Sequence, residues 1–396
     1  MNSVRMDQMY TRLFRVLQKS LWNTGEATAD EAVYKEMKAH AIAPLATSVL
    51  SELGLPEELL KKWERVSMAT IVHSLHYQRV QDSLPITVPY VILKGTAAAQ
   101  YYPHPEYRMM GDIDIMTRHE DFAAACGMLL SNGYAEDTNA VDQYLERHRG
   151  FTKNNVQIEV HSYYGLRDDK EETRALDDLI IDHITPNHIL PDLINGLTLI
   201  EHVNHHMEED LGLRQIIDWM LYVDRCLPDE KWPEFEALAR KTGHVQLAMA
   251  TTRMCEIYLG LREHAWCAGV DPAICENFMA YILSCGNFGT KINSESLISE
   301  RVLGSASLKA AIITLKQRGV MTWKGAQDHS FLRPFAWVYQ AGRYLVKGLA
   351  RKHPLKQLRT ERENSRKRSE LFDAIGVARE INGRVVYRDG EYVKMF

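Results

Sequence analysis

The pentapeptide Gly111-Asp112-Ile113-Asp114-Ile115 constrains this chain more than any other stretch. Side chains alternate along a β-strand, so acids at i and i+2 share one face while the isoleucines after them turn into a core. Two carboxylates held that close repel each other. Either one stays protonated or a cation neutralises the pair. A hard divalent ion bound through carboxylate oxygens, Mg²⁺ foremost, does the latter. A bare Asp-x-Asp also occurs as a solvated strand end, so its flanks decide what it is.

Upstream, Tyr90 to Leu93 read as a short buried strand, and Lys94-Gly95-Thr96 as a turn into a helix that Thr96 caps. A glycine turn entering a helix presents backbone N–H groups to an anion, and Lys94 adds positive charge there. Downstream, His119 to Asn132 have the spacing of an amphipathic helix closed by Gly133. In Val156 to His161 the apolar Val156, Ile158 and Val160 alternate with Gln157, Glu159 and His161. Asn154-Asn155 suits a hairpin turn after a strand over 150–153. A strand carrying Glu159 beside the Asp112 strand supplies a third carboxylate. The pattern predicts a mixed sheet of about four or five strands between residues 87 and 165.

This succession resembles the polymerase-β-type nucleotidyltransferase superfamily. Its fuller pattern resembles more closely one bacterial branch, the uncharacterised nucleotidyltransferase-like proteins linked with surface-polysaccharide gene clusters. The residues that carry the resemblance are Leu93-Lys94-Gly95, Tyr101-Tyr102, Arg108, Asp112-Ile113-Asp114, Glu159-Val160-His161 and Leu213 to Asp218. The turn departs from the superfamily, which has Gly-Ser or Gly-Gly there and a shorter gap to the first aspartate. The resemblance implies an α+β fold, a small mixed-sheet nucleotidyltransferase core flanked by N-terminal and C-terminal helical regions. It implies Mg²⁺-dependent (or Mn²⁺-dependent) transfer of a nucleoside monophosphate from a nucleoside triphosphate, ATP among them, to a small-molecule or glycan acceptor. Asp112, Asp114 and Glu159 would then be the metal ligands and catalytic carboxylates, with Glu159 also suited to act as base. Lys94, Gly95, Thr96, Arg108, Arg214 and His202 would surround the nucleotide. An alternative of a different class is a catalytically inactive nucleotide-sensing or interaction protein on the same fold.

The remainder of the chain frames this core. Residues 1–86 read as helices, with Asp30 capping a helix that runs to Leu53 and a long helix over Glu57 to Asp82. The long helix is expected to turn Leu59, Leu60, Trp63, Val66, Ile71 and Leu75 to one side. Residues 87–165 hold the α/β core, 166–330 a helical domain, and 331–396 a basic amphipathic helix with a hairpin tail about Asp389-Gly390. A helix is expected over Leu193 to Glu209, and Gly286 to Gly289 mark a loop. His202 and His206 share a helix face, but the sequence between them lacks the glutamate of a zinc protease motif. Arg214 and Asp218 sit at the spacing of a helix salt bridge.

A net charge of −5 leaves no general pull on nucleic acid, and no nucleic-acid partner is expected. Six cysteines without zinc or redox spacing suit free thiols in a reducing cytoplasm. Residues 1–7 do not resemble the start of a signal peptide, and no run reaches membrane-spanning length. The basic stretch 332–372 is suited to peripheral contact with anionic lipid as well as to a plain solvated helix.

Overall fold

The computed structural model describes residues 8–137, 147–207, 211–287, 291, 312, 315, 316, 318–320, 322–349, 354–379 and 384–395. A five-stranded mixed sheet lies where the alternating stretches predict it. Its strands are β1 (Tyr90–Leu93), β2 (Ile113–Thr117), β3 (Ala135–Glu136), β4 (His148–Lys153) and β5 (Val156–His161), in the order β1-β2-β5-β4-β3. β2 pairs antiparallel with β1 and parallel with β5, and the latter register sets Asp114 opposite Glu159. The β4–β5 hairpin turns on Asn154 and Asn155, whose φ values of 51° and 61° are the left-handed pair that a two-residue hairpin requires. Ile113, Ile115, Phe151, Ile158 and Val160 pack with Ala125, Cys126 and Leu129 of helix α5 (Phe122–Ser131). Gly133, at φ 78°, follows that helix as expected.

The N-terminal helices are α1 (Gln8–Trp22), α2 (Glu31–Ala39) and α3 (Glu57–Asp82). Asp30 caps α2 by accepting from the N–H groups of Ala32 and Val33. The single helix expected to reach Leu53 ends early: Ala41 takes φ 58°, and Pro44 opens a separate 3-10 segment, Ala43–Glu52. A proline there could not donate to a continuing α-helix.

α3 has the expected ends but not the expected face. Leu59 and Trp63 are buried, whereas further along Ser67, Thr70, Ser74, Tyr77 and Gln81 turn inward and Leu75 stands exposed with Met68 and Val72. The reason is the loop before Asp112, which offers backbone carbonyls that need donors. Ser74 Oγ donates to Arg108 O at 2.8 Å, and Tyr77 OH donates to Gly111 O at 3.0 Å. His73 Nε2 lies 3.3 Å from Met110 O. The short helix α4 (Gly95–Ala99) begins at Gly95 with Lys94 at its N-cap position, two residues earlier than a Thr96 cap requires. Thr96 therefore sits inside the first turn, and its hydroxyl donates to Gln81 Oε1 at 2.6 Å.

The C-terminal helical layer comprises α6 (Lys170–Asp182), α7 (Asp192–His206), α8 (Leu213–Cys226), α9 (Trp232–Lys241), α10 (Val245–Leu259) and α11 (Pro272–Cys285). The expected end of α7 at Glu209 lies outside the described residues, as do Phe288 and Gly289 of the expected loop. α7 and α8 approach closely at Gly196, where an added Cβ would fall 2.2 Å from the Tyr222 ring. Trp219, Tyr222, Phe235 and Phe278 fill the layer, and the same core takes in Leu13, Leu17 and Trp63 of the N-terminal helices.

Toward the C-terminus lie α12 (Lys324–Asp328), α13 (Ala336–Leu349), α14 (Pro354–Ile375) and the hairpin β6 (Arg384–Arg388) and β7 (Glu391–Met395). The hairpin is built into the molecule. Tyr387 stacks on His119 at 3.6 Å, and Tyr392 OH donates to Asp177 Oδ2 at 2.8 Å. Among the described residues no helix is long and apolar enough to cross a membrane.

Candidate active site

The backbone between β1 and α4 takes an uncommon path. Lys94 has φ 51° and ψ −138°, a region that costs a non-glycine residue about 1–3 kcal/mol. Gly95 follows at φ 40°, where a side chain would be strained. This bend aims the Lys94 side chain back at the acidic strand, and its Nζ lies 2.8 Å from Asp114 Oδ1. His161 Nε2, one strand away on β5, lies 2.8 Å from the same oxygen. Asp114 is fully buried, and its other oxygen, Oδ2, has no hydrogen-bond partner.

Because β2 and β5 run parallel with Asp114 opposite Glu159, the three acids converge. Oxygens of Asp112, Asp114 and Glu159 lie within 4.8 Å of one another. This donor set fits a hard divalent cation: three carboxylates bring oxygens close together, and a buried carboxylate oxygen of Asp114 lacks a protein partner. Asp112, Asp114 and Glu159 are the residues that would hold it.

Burial and charge set the three acids apart. Burial and then the Asp114 charge push Asp112 above the usual carboxylate range. Burial would raise Asp114 too, but Lys94 and His161 outweigh it and hold Asp114 below that range. Glu159 is brought down to about 2, because His161 and His148 together overcome burial. Burial lowers His148 to about 4, against the pull of Glu159, so that ring is neutral near pH 7. Burial works against the Lys94 charge, yet Asp114 and Asp112 raise Lys94 above its ordinary value.

The remaining expected residues divide. Arg214, on α8, donates from Nη1 to Met109 O at 2.8 Å, in the loop that leads to Asp112. His202, on α7, is buried, and its Nε2 lies 2.9 Å from His206 Nε2. Burial, the neighbouring His206 and the charges of Lys94, Arg214 and Arg108 hold His202 well below its ordinary pKa. It is therefore a neutral hydrogen-bonding group. Arg108, expected beside the nucleotide, is only 2% exposed and locked elsewhere. Its Nε and Nη2 reach the two oxygens of Asp218 at 2.7 Å each, while Tyr102 OH donates to Asp218 Oδ1 at 2.7 Å. A guanidinium forked onto one carboxylate in this way has its strongest donors occupied. Arg108 thus ties the loop before Asp112 to α8. Asp218, expected to pair with Arg214 along its own helix, accepts from Arg108 with both oxygens.

Three contributors escaped the sequence reading. Ser74 and Tyr77 looked like the wrong face of an amphipathic helix. His148 stood just before the expected strand over 150–153. Counting back from Asn154-Asn155 puts residue 148 opposite residue 161, so the hairpin register held that signal.

A family model described as an uncharacterised nucleotidyltransferase matches residues 26–260, more than half of the chain, and spans the sheet and α1's successors through α10. No curated protein matches, and no solved structure matches. With the mixed sheet and its acidic strand pair inside the matched region, this chain belongs to the uncharacterised nucleotidyltransferase family.

Proposed function

We propose that the protein transfers a nucleoside monophosphate from a nucleoside triphosphate to a hydroxyl or phosphate of a small-molecule or glycan acceptor, with Mg²⁺ or Mn²⁺ held by Asp112, Asp114 and Glu159. The observation that carries this is that oxygens of those three carboxylates lie within 4.8 Å of one another, with Asp114 Oδ2 buried and without a hydrogen-bond partner. A divalent cation there supplies charge neutralisation for the triphosphate and lowers the pKa of the attacking hydroxyl. In this reading residues 87–165 are the catalytic core, and the helices of 1–86 and 166–330 are its walls.

The chain's own residues do the rest. Lys94 and Arg214 bring positive charge to the triphosphate, and neutral His202 donates a hydrogen bond to it. Gly95 and Thr96 let a phosphate approach the backbone at the β1–α4 bend. The acceptor oxygen attacks the α-phosphorus, the bond from that phosphorus toward the β-phosphate breaks, and pyrophosphate leaves. Glu159 is a cation ligand and is placed to take the hydroxyl proton as base. Arg108 acts through Asp218, holding the 108–111 loop in place.

One observation favours a second reading, a nucleotide sensor without turnover: Lys94 already neutralises Asp114 at 2.8 Å. Thermal melting with Mg²⁺ and each of the four triphosphates, alongside pyrophosphate release with sugar-phosphate acceptors, separates the two. Transfer predicts stabilisation by one or more triphosphates together with pyrophosphate release, both lost in Asp114→Asn. Stabilisation without pyrophosphate across a broad acceptor panel supports the sensor. No stabilisation by any triphosphate overturns both.

A further inference from the structure

The register that sets Glu159 beside Asp114 has a second consequence that three carboxylates alone do not require. It places His148 of β4 directly opposite His161 of β5, with Glu159 two residues before His161 on the same face. Ligand atoms of His148, Glu159 and His161 lie within 4.8 Å of one another. The two rings flank one carboxylate: His148 Nε2 lies 3.7 Å from Glu159 Oε1, and His161 Nε2 lies 3.5 Å from Glu159 Oε2. Both separations are longer than a good N–H···O hydrogen bond, which ends near about 3.2 Å. Both are close to the about 3.4 Å edge of a tetrahedron whose metal–ligand bonds are about 2.1 Å. The two donor sets also touch: His161 Nε2 lies 2.8 Å from Asp114 Oδ1, and the other oxygen of that buried carboxylate, Oδ2, has no hydrogen-bond partner.

The donor chemistry differs between the two sets. Mg²⁺ is a hard cation that takes oxygen ligands in octahedral geometry and retains water. Imidazole nitrogen suits first-row transition dications, whose affinity for mixed nitrogen and oxygen sites rises toward Cu²⁺ and Zn²⁺. We propose that His148, Glu159 and His161 form a second cation position of mixed nitrogen and oxygen donors, sharing Glu159 with the carboxylate set, and that it selects a transition-metal dication such as Mn²⁺, Co²⁺ or Zn²⁺ over Mg²⁺. The proposal rests on the reading of Asp112, Asp114 and Glu159 as a cation site, because Glu159 bridges the two.

The test uses the full-length protein stripped of metal and titrated with Co²⁺ or Mg²⁺. Co²⁺ is followed by its visible d–d absorption, and Mn²⁺ by nitrogen hyperfine coupling in its magnetic resonance spectrum. The wild type is expected to bind Co²⁺ at least about 100-fold more tightly than Mg²⁺, with bands of a low-coordinate nitrogen-containing site. His148→Ala and His148→Gln are expected to lower Co²⁺ affinity at least about tenfold while Mg²⁺ affinity stays within about twofold. The wild-type spectra report nitrogen ligation even where a variant folds poorly. An oxygen-only spectrum, or equal Co²⁺ affinity in wild type and both variants, overturns the mixed site. Should Mg²⁺ still bind in that case, the carboxylate site stands and only the mixed site is lost. Binding of neither cation overturns both.

Discussion

Lys94→Met tests whether the ammonium is the internal counter-ion of the acidic strand. Methionine is unbranched, nearly as long as lysine and subject to the same cost at φ 51°, so the charge is the main thing the substitution removes. At 2.8 Å, and with an effective dielectric near about 20, the attraction to Asp114 is about 6 kcal/mol. Both partners surrender hydration to make the pair, with side-chain exposures of 11% and 0%, so the net stabilisation is smaller than the attraction. Losing one partner is nonetheless severe, because Asp114 is left buried with only His161 to balance it. The expected loss is about 3–5 kcal/mol in the metal-free protein. The assay is urea unfolding of wild type and Lys94→Met in chelator, repeated with Mg²⁺. A cation that binds the folded state at 100 times its Kd adds about 2.7 kcal/mol. The variant should bind Mg²⁺ about tenfold more tightly than the wild type, about 1.4 kcal/mol, because Asp114 Oδ1 no longer shares its charge with Lys94. Metal-free stability within about 0.5 kcal/mol of wild type would refute the counter-ion role, since surface-like substitutions fall in that range. An equal Mg²⁺ increment in both proteins would refute the competition between Lys94 and the cation.

Asp112→Asn should stabilise the metal-free protein, because burial and the neighbouring Asp114 already disfavour its charge, and should abolish stabilisation by Mg²⁺ with triphosphate; calorimetric melting with and without ligand checks both signs. Arg108→Ala and Asp218→Ala should each cost about 3–5 kcal/mol, since each leaves a buried charge unpaired, and the double variant should cost clearly less than the two losses together in a denaturant double-mutant cycle. Burial pushes Asp177 up to about 7, although the N–H groups of Tyr164 and Gly165 and the Tyr392 hydroxyl donate to it. In the unfolded chain it titrates near about 3.9, so the folded state binds the extra proton between those values and stability falls as pH rises from about 4 to about 7. The Asp177 contribution to that slope is about 1.4 kcal/mol per pH unit, and stability measured in urea across this window should lose that component in Asp177→Asn.

Local chemistry written along the chain settled a good part of this molecule. Period-two alternation in 113–117 and 156–161 assigns faces to strands without any partner. The Asn154-Asn155 turn and the Asp30 cap act within a few residues, so their positions were legible directly. The same alternation put Asp112, Asp114 and Glu159 on faces that could meet, and the parallel register of β2 and β5 brings them together. What the sequence left open is how each charge is neutralised. Arg108 and Asp218 are 110 residues apart, and His161 and Asp114 are 47 apart. No local period selects such partners; packing of α8 and β5 against the 108–114 segment does. The inward face of α3 was decided in the same way, by carbonyls of a distant loop that need Ser74 and Tyr77 more than Leu75 needs burial. The bend at Lys94 belongs here too: φ 51° is unfavourable for lysine by itself, and only the buried carboxylate that it reaches makes the conformation worth holding.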